Sequence, residues 1–169
     1  MPPLKPLLFG LLVATLAVAL VTDVKNRRIP DLLTYPAMAA ALGLRAWFAG
    51  VGDVSTGLVS GLLGLLGAAG WFGAFALGKK GLGWGDVKLA AVMGAVLGVP
   101  STLTAVLFTS VAGAFQAVVS LIWRGDLSDT VRGVLAQDRS AELSKRHIPY
   151  GVAIALGSLG AMWWDGNAF

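Results

Sequence analysis

Residues 81–98 read GLGWGDVKLAAVMGAVLG, an apolar run with an aspartate and a lysine at its mouth. The fold depends on whether this run lies in water or in lipid. From Leu89 onward it offers no polar face, so as a helix it needs apolar surroundings on every side. The rest of the chain makes the same demand. Of 169 residues, 56% are hydrophobic and 13% charged, and the mean hydropathy is +0.76. A water-soluble domain of this length needs a polar surface that this composition does not supply. A bilayer removes that need. The expectation is an all-α, polytopic membrane protein, with residues 1–169 forming one domain.

Apolar stretches near the spanning length fall at about residues 6–23, 31–49, 56–78, 85–99, 101–123 and 148–165, close to the roughly 20 residues a helix needs. They predict a bundle of six transmembrane helices. The fourth stretch is short, with a tight turn expected at Pro100 before the fifth. Loops after the first, third and fifth stretches carry Lys25, Arg27 and Arg28; Lys79 and Lys80; and Arg124, Arg132, Arg139, Lys145 and Arg146. The opposite loops carry Asp53 and Asp165, with only Lys5 and Arg45 toward that side. The positive-inside bias puts the basic loops in the cytoplasm and both termini outside. Asn26, Arg27 and Arg28 are read as topology signals. This distribution explains the net charge of +4 without nucleic acid, which is not an expected partner. The polar segment at about 124–147 is expected to rest at the interface as a helix, with Leu127, Val131, Val134 and Leu135 on one side. Glycines at 57, 61, 64, 67, 70 and 73 give the third helix a flat face for close packing.

There is no cysteine and a single histidine, His147. Thiolate chemistry, disulfides and a histidine-rich metal centre are excluded, and neither metal nor organic cofactor is expected. The chemistry that remains is carboxylate chemistry. Asp23 closes the first helix in VTDVKNRRIPD (21–31), and Asp86 opens the fourth. In the orientation above, both lie at the cytoplasmic ends of their helices. Asp86 also suits a helix cap, where it accepts backbone N–H groups. Asp23 has no such role, because a negative charge at a helix C-terminus is unfavourable by about 0.3–1 kcal/mol. Asp31, after Pro30, reads as a cap or surface residue. Two carboxylates sharing a partly desolvated site do not both ionise cheaply, an arrangement suited to aspartic proteolysis. Gly83 and Gly85 leave room for an extended peptide to approach Asp86.

In combination, DVKNRRIPD (23–31), GLGWGDVKLAAVMGAVLG (81–98) and IPYGVAIALG (148–157) resemble the type IV prepilin peptidases. These group with the preflagellin peptidases among the G-x-G-D intramembrane aspartic proteases. The resemblance places Asp23 and Asp86 at the catalytic positions. It implies a membrane endopeptidase of the cell membrane that removes the short basic leader of prepilin-like or preflagellin-like substrates at the cytoplasmic face. The substrate would carry an apolar helix after its leader. Lys88 is a candidate for contact with an acidic substrate residue, against a snorkelling lysine or an Asp86 partner. Pro149, Tyr150 and Gly151 are candidates for the site wall, although an interfacial helix start also explains them. Larger family members carry cysteine pairs and methylate the new N-terminus. This cysteine-free chain resembles the compact peptidases of tight-adherence pilus systems, so N-methylation and a structural zinc are not expected. Two readings from other classes stay open. One is a small proton- or ion-coupled transporter; the other is a non-catalytic membrane scaffold. The oligomeric state is not legible in the sequence.

Overall fold

The computed structural model of the chain describes residues 4–26, 29–77, 83–124 and 150–165. All regular structure there is helical: α1 (Leu4–Asn26), α2 (Asp31–Ala49), α3 (Leu58–Leu77), α4 (Trp84–Leu97), α5 (Val99–Arg124) and α6 (Tyr150–Trp164). The all-α expectation holds, and the six helices coincide with the six apolar stretches. Helices α1, α3 and α5 are long and apolar enough to cross a membrane by themselves. The chain is a helical membrane protein.

Burial follows helical periodicity. On α1 the buried stripe runs Leu8, Leu12, Leu16, Ala19 and Asp23, spaced at three and four residues. Asp23 therefore faces the core because it continues the apolar stripe. On α2 the stripe is Thr34, Ala37, Ala41 and Arg45, which draws an arginine inward by the same rule. The opposite faces are apolar as well. On α5, Leu103, Leu107, Val111, Phe115, Val118 and Ile122 are all exposed, a stripe that only lipid would cover without cost.

Helix α4 is different. Ten of its fourteen residues are buried, and it contacts each of the other five helices. A helix apolar on all sides belongs in the centre of a bundle, and α4 occupies that centre. At about 1.5 Å per residue it is shorter than a bilayer core. It does not meet lipid along its length, so it has no need to span one.

Close backbone approach brings α3 to α4. A Cβ built on Gly64 would overlap the carbonyl of Gly94, and one on Gly94 would overlap that of Gly64. Gly61 is closed in by Arg45 and the Ala95 carbonyl, whereas Gly67 and Gly70 have nothing within 4 Å. The predicted glycine face is real only in the first half of α3. A second crossing sets Gly157 of α6 on the backbone and hydroxyl of Thr109 in α5.

The turn between α4 and α5 falls at Gly98, not at Pro100. Gly98 has φ +76°, in the left-handed region that favours glycine, and its N–H donates to the Gly94 carbonyl at 2.9 Å. Pro100 lies inside the first turn of α5, where its missing N–H removes no hydrogen bond. Gly50, with φ +81°, ends α2.

Candidate active site

The C-terminus of α1, the N-termini of α2 and α4, and the N-terminus of α6 meet at one end of the bundle. Ile29 is buried three residues beyond α1. Its side chain lies against Gly85, where an added Cβ would come within 3.3 Å of the Ile29 Cβ. Lys88 of α4 donates to Asp31 Oδ1 of α2 at 2.6 Å, and its Nζ sits 5.2 Å from the centre of the Tyr35 ring. At the same end, a Cβ on Gly151 of α6 would fall 3.2 Å from Oδ2 of Asp23. Asp23 and Asp86 are thus both at this end, on helices that pack against each other in opposite directions.

Both carboxyl groups are almost withdrawn from solvent, Asp23 at 7% and Asp86 at 5% exposure. Their surroundings differ. Asp86 sits in the first turn of α4, where its Oδ2 accepts the Gly83 N–H at 3.2 Å. The Asp86 N–H in turn donates to the Gly83 carbonyl at 3.0 Å. This is the reciprocal arrangement of a helix cap, so the capping expectation for Asp86 holds. A cap alone does not call for burial, since most caps work at the surface. Asp23 differs: its Oδ2 is buried and has no hydrogen-bond partner among the described residues. A buried carboxylate oxygen without a partner is costly.

The remaining expected site residues fall as follows. The partner of Lys88 is Asp31 rather than Asp86, because the lysine leans across to α2 and covers Tyr35. Asp31 makes that ion pair and does not cap α2 through a side-chain hydrogen bond. Tyr150 opens α6, with its ring 3.0 Å from where a Cβ on Gly113 of α5 would lie. It therefore braces α6 against α5. Gly151 makes the closest approach to Asp23 described above. The space that Gly85 leaves is taken by Ile29, so the opening expected beside Gly85 is filled. Pro149 and the segment expected as an interfacial helix beyond Arg124 lie outside the described residues. Among the described residues, no group of three or more histidine, cysteine or acidic side chains is placed to hold a metal. Ile29 carries no site role in the sequence reading; the available signal is its place inside the DVKNRRIPD motif, directly before Pro30.

Comparison with known proteins places this geometry in context. The Type IV leader peptidase family matches residues 10–118, well over half of the chain. The chain belongs to that family. The matched region of this leader peptidase family member contains Asp23, Gly83, Gly85, Asp86 and Lys88, whereas Tyr150 and Gly151 lie beyond it. Similar curated proteins bear the name prepilin leader peptidase/N-methyltransferase. That of Burkholderia pseudomallei is 37% identical over 119 residues, covering 69% of this chain and 38% of its own. That of Aeromonas hydrophila is 30% identical over 162 residues, covering 94% of this chain and 50% of its own. That of Pseudomonas aeruginosa is 32% identical over 155 residues, covering 89% and 47% respectively. The chain spans half or less of the length of these relatives. No solved structure matches it.

Proposed function

We propose that this protein is a membrane-embedded aspartic endopeptidase that removes the leader of type IV prepilin-like substrates, with residues 1–169 acting as one catalytic domain. The observation that carries the reading is the pair of buried carboxyl groups, Asp23 and Asp86, at one end of the bundle. The names borne by the relatives support the substrate class. The excess of basic residues in the loops at that end supports a cytoplasmic face.

In this reading one carboxyl group acts as the base and the other as the hydrogen-bond donor and acid. The ionised member takes a proton from water as the water oxygen attacks the scissile carbonyl carbon. The neutral member donates a hydrogen bond to the carbonyl oxygen. Collapse of the tetrahedral intermediate breaks the C–N bond, and a proton passes from the dyad to the leaving amine. The partnerless Oδ2 of Asp23 is one position where such a proton or water would be held. Ile29 covers Gly85, and its displacement admits the substrate. Hydrolysis is the half of the relatives' double name that this reading takes up; methyl transfer is left out of it.

The test is leader cleavage of a co-expressed prepilin by wild type, Asp23→Asn and Asp86→Asn, with membrane abundance measured in parallel. Asparagine keeps the shape and removes the titrating group. Both variants should accumulate normally and lose cleavage by at least about 100-fold. Cleavage at the wild-type rate by either variant removes that residue from the dyad. The cap formed by Asp86 favours one rival, a scaffold in which the carboxylates are purely structural. That rival predicts loss of abundance in place of loss of cutting.

A further inference from the structure

The end of the bundle away from the aspartates holds a cavity of about 200 Å³. Lys5 at the start of α1, Arg45 of α2, Ser101 at the start of α5 and Asp165 just after α6 all line it, and Leu8 and Met162 form part of an apolar wall. Two polar groups in it are incompletely matched. Arg45 is 4% exposed, and no carboxylate among the described residues pairs with it. Its guanidinium donates to the Ala95 carbonyl (2.9 Å), the Val96 carbonyl (2.7 Å) and the Thr56 carbonyl (2.6 Å). That uses three of its five N–H groups and leaves the positive charge without a counter-ion. Asp165 presents the opposite case, a buried Oδ2 without a hydrogen-bond partner among the described residues. Among the described residues it is also the one carboxylate that lines the cavity.

We propose that this cavity is a binding site for the headgroup of a phospholipid bearing a primary ammonium. The phosphate would lie toward Arg45 and Lys5, and the ammonium toward Asp165. Phosphoethanolamine carries one anionic phosphate and one ammonium with three N–H donors on a single short chain, so it matches both groups left unmatched among the described residues. Depth agrees. The cavity is walled by helix ends, and Trp47, Trp163 and Trp164, all strongly exposed, stand two residues from Arg45 and beside Asp165. Tryptophan at helix ends marks the headgroup level of a bilayer. Size agrees too, since about 200 Å³ is less than the roughly 300–1,000 Å³ of sites that engulf larger ligands. It suits a headgroup whose acyl chains remain outside along the apolar wall.

The experiment is thermal unfolding of the purified full chain in detergent, followed by tryptophan fluorescence. Phosphatidylethanolamine, phosphatidylglycerol, phosphatidylcholine or inorganic phosphate is added separately. Phosphatidylethanolamine should raise the midpoint by about 5 °C at saturation, more than either other lipid, and inorganic phosphate should leave it unmoved. Asp165→Asn should abolish the preference for ethanolamine over glycerol. Lys5→Gln should weaken every phospholipid response while keeping their order. Both substitutions sit at the cavity rim and spare the carbonyl ties of Arg45, so the variants fold. Equal responses to the three lipids, an ethanolamine preference that survives Asp165→Asn, or a full response to inorganic phosphate would each overturn the proposal.

Discussion

Asp23 and Gly151 are matched across two helices. A methyl on Gly151 would stand 3.2 Å from Oδ2 of Asp23, too near for the carboxyl group to keep its place. Gly151→Ala should therefore lower the rate of leader cleavage by roughly 10–100-fold, in the range expected when a reacting group is displaced by a fraction of an ångström to an ångström. Membrane abundance should remain near wild type, which separates misplacement from misfolding. The ion pair of Lys88 with Asp31 is half open to solvent, with side-chain exposures of 28% and 59%, and pairs of that kind contribute little. Asp31→Asn should shift the unfolding midpoint by no more than about 2 °C. At this scale the sequence was readable where a residue broke a local rule. Asp23 stood out because a carboxylate at a helix C-terminus has no capping role. Arg45 gave no such signal. Its inward direction follows from the 34–37–41–45 stripe, and two of its three partners, the carbonyls of Ala95 and Val96, are 50 or more residues away. Lys88 was visible as a charge, but its choice of Asp31 over Asp86 depends on how α2 and α4 cross, which no local pattern encodes.

The helix crossings make sharper predictions than the helices themselves. At the α3–α4 crossing, Gly94→Ala drives a methyl into the Gly64 carbonyl and should cost about 1–3 kcal/mol, the usual cost of overpacking. Gly67→Ala, on the open side of α3, should be neutral or stabilising by about 0.5–1 kcal/mol, because alanine restricts the unfolded chain and favours helix. Unfolding midpoints of the two variants, measured side by side, check both. The sequence presents the six glycines of the third stretch as equivalent; the five that lie on α3 are distinguished only by partners on other helices. The loop from Gly50 to Gly57 carries its own pH dependence. Asp53 accepts hydrogen bonds from the Thr56 hydroxyl and from the hydroxyl and N–H of Ser55, which hold its pKa down to about 2. A carboxylate held below its unfolded value of about 3.9 stabilises the fold at higher pH. That contribution fades as pH falls toward about 2. The stability difference between wild type and Asp53→Asn should thus be constant above about pH 5 and shrink between about pH 4 and 2. The shift of the α4–α5 turn from Pro100 to Gly98 has a general cause: proline ends a helix it follows but equally begins one it enters.

On the scale of the molecule, the start of α1 and the residue after α6 line one cavity, so these two points lie at the same end of the bundle, opposite the aspartates. With the positive-inside bias, reporters fused at Met1 and Phe169 should both read as external, and one fused between Leu77 and Gly83 should read as cytoplasmic. A reversed pattern would move the proposed cleavage to the outer face. The membrane class was legible from composition because no soluble arrangement can hide so many apolar residues. The order of layers was not. Six apolar stretches look alike in sequence, yet three can span alone and one, α4, is enclosed by the rest. That enclosure bears on how the protein is made. Fourteen residues of helix are too few to be retained by lipid alone as the chain leaves the ribosome. Helix α4 must be delivered to the membrane already paired, and its locked crossing with α3 makes the α3–α4 hairpin the natural unit of insertion.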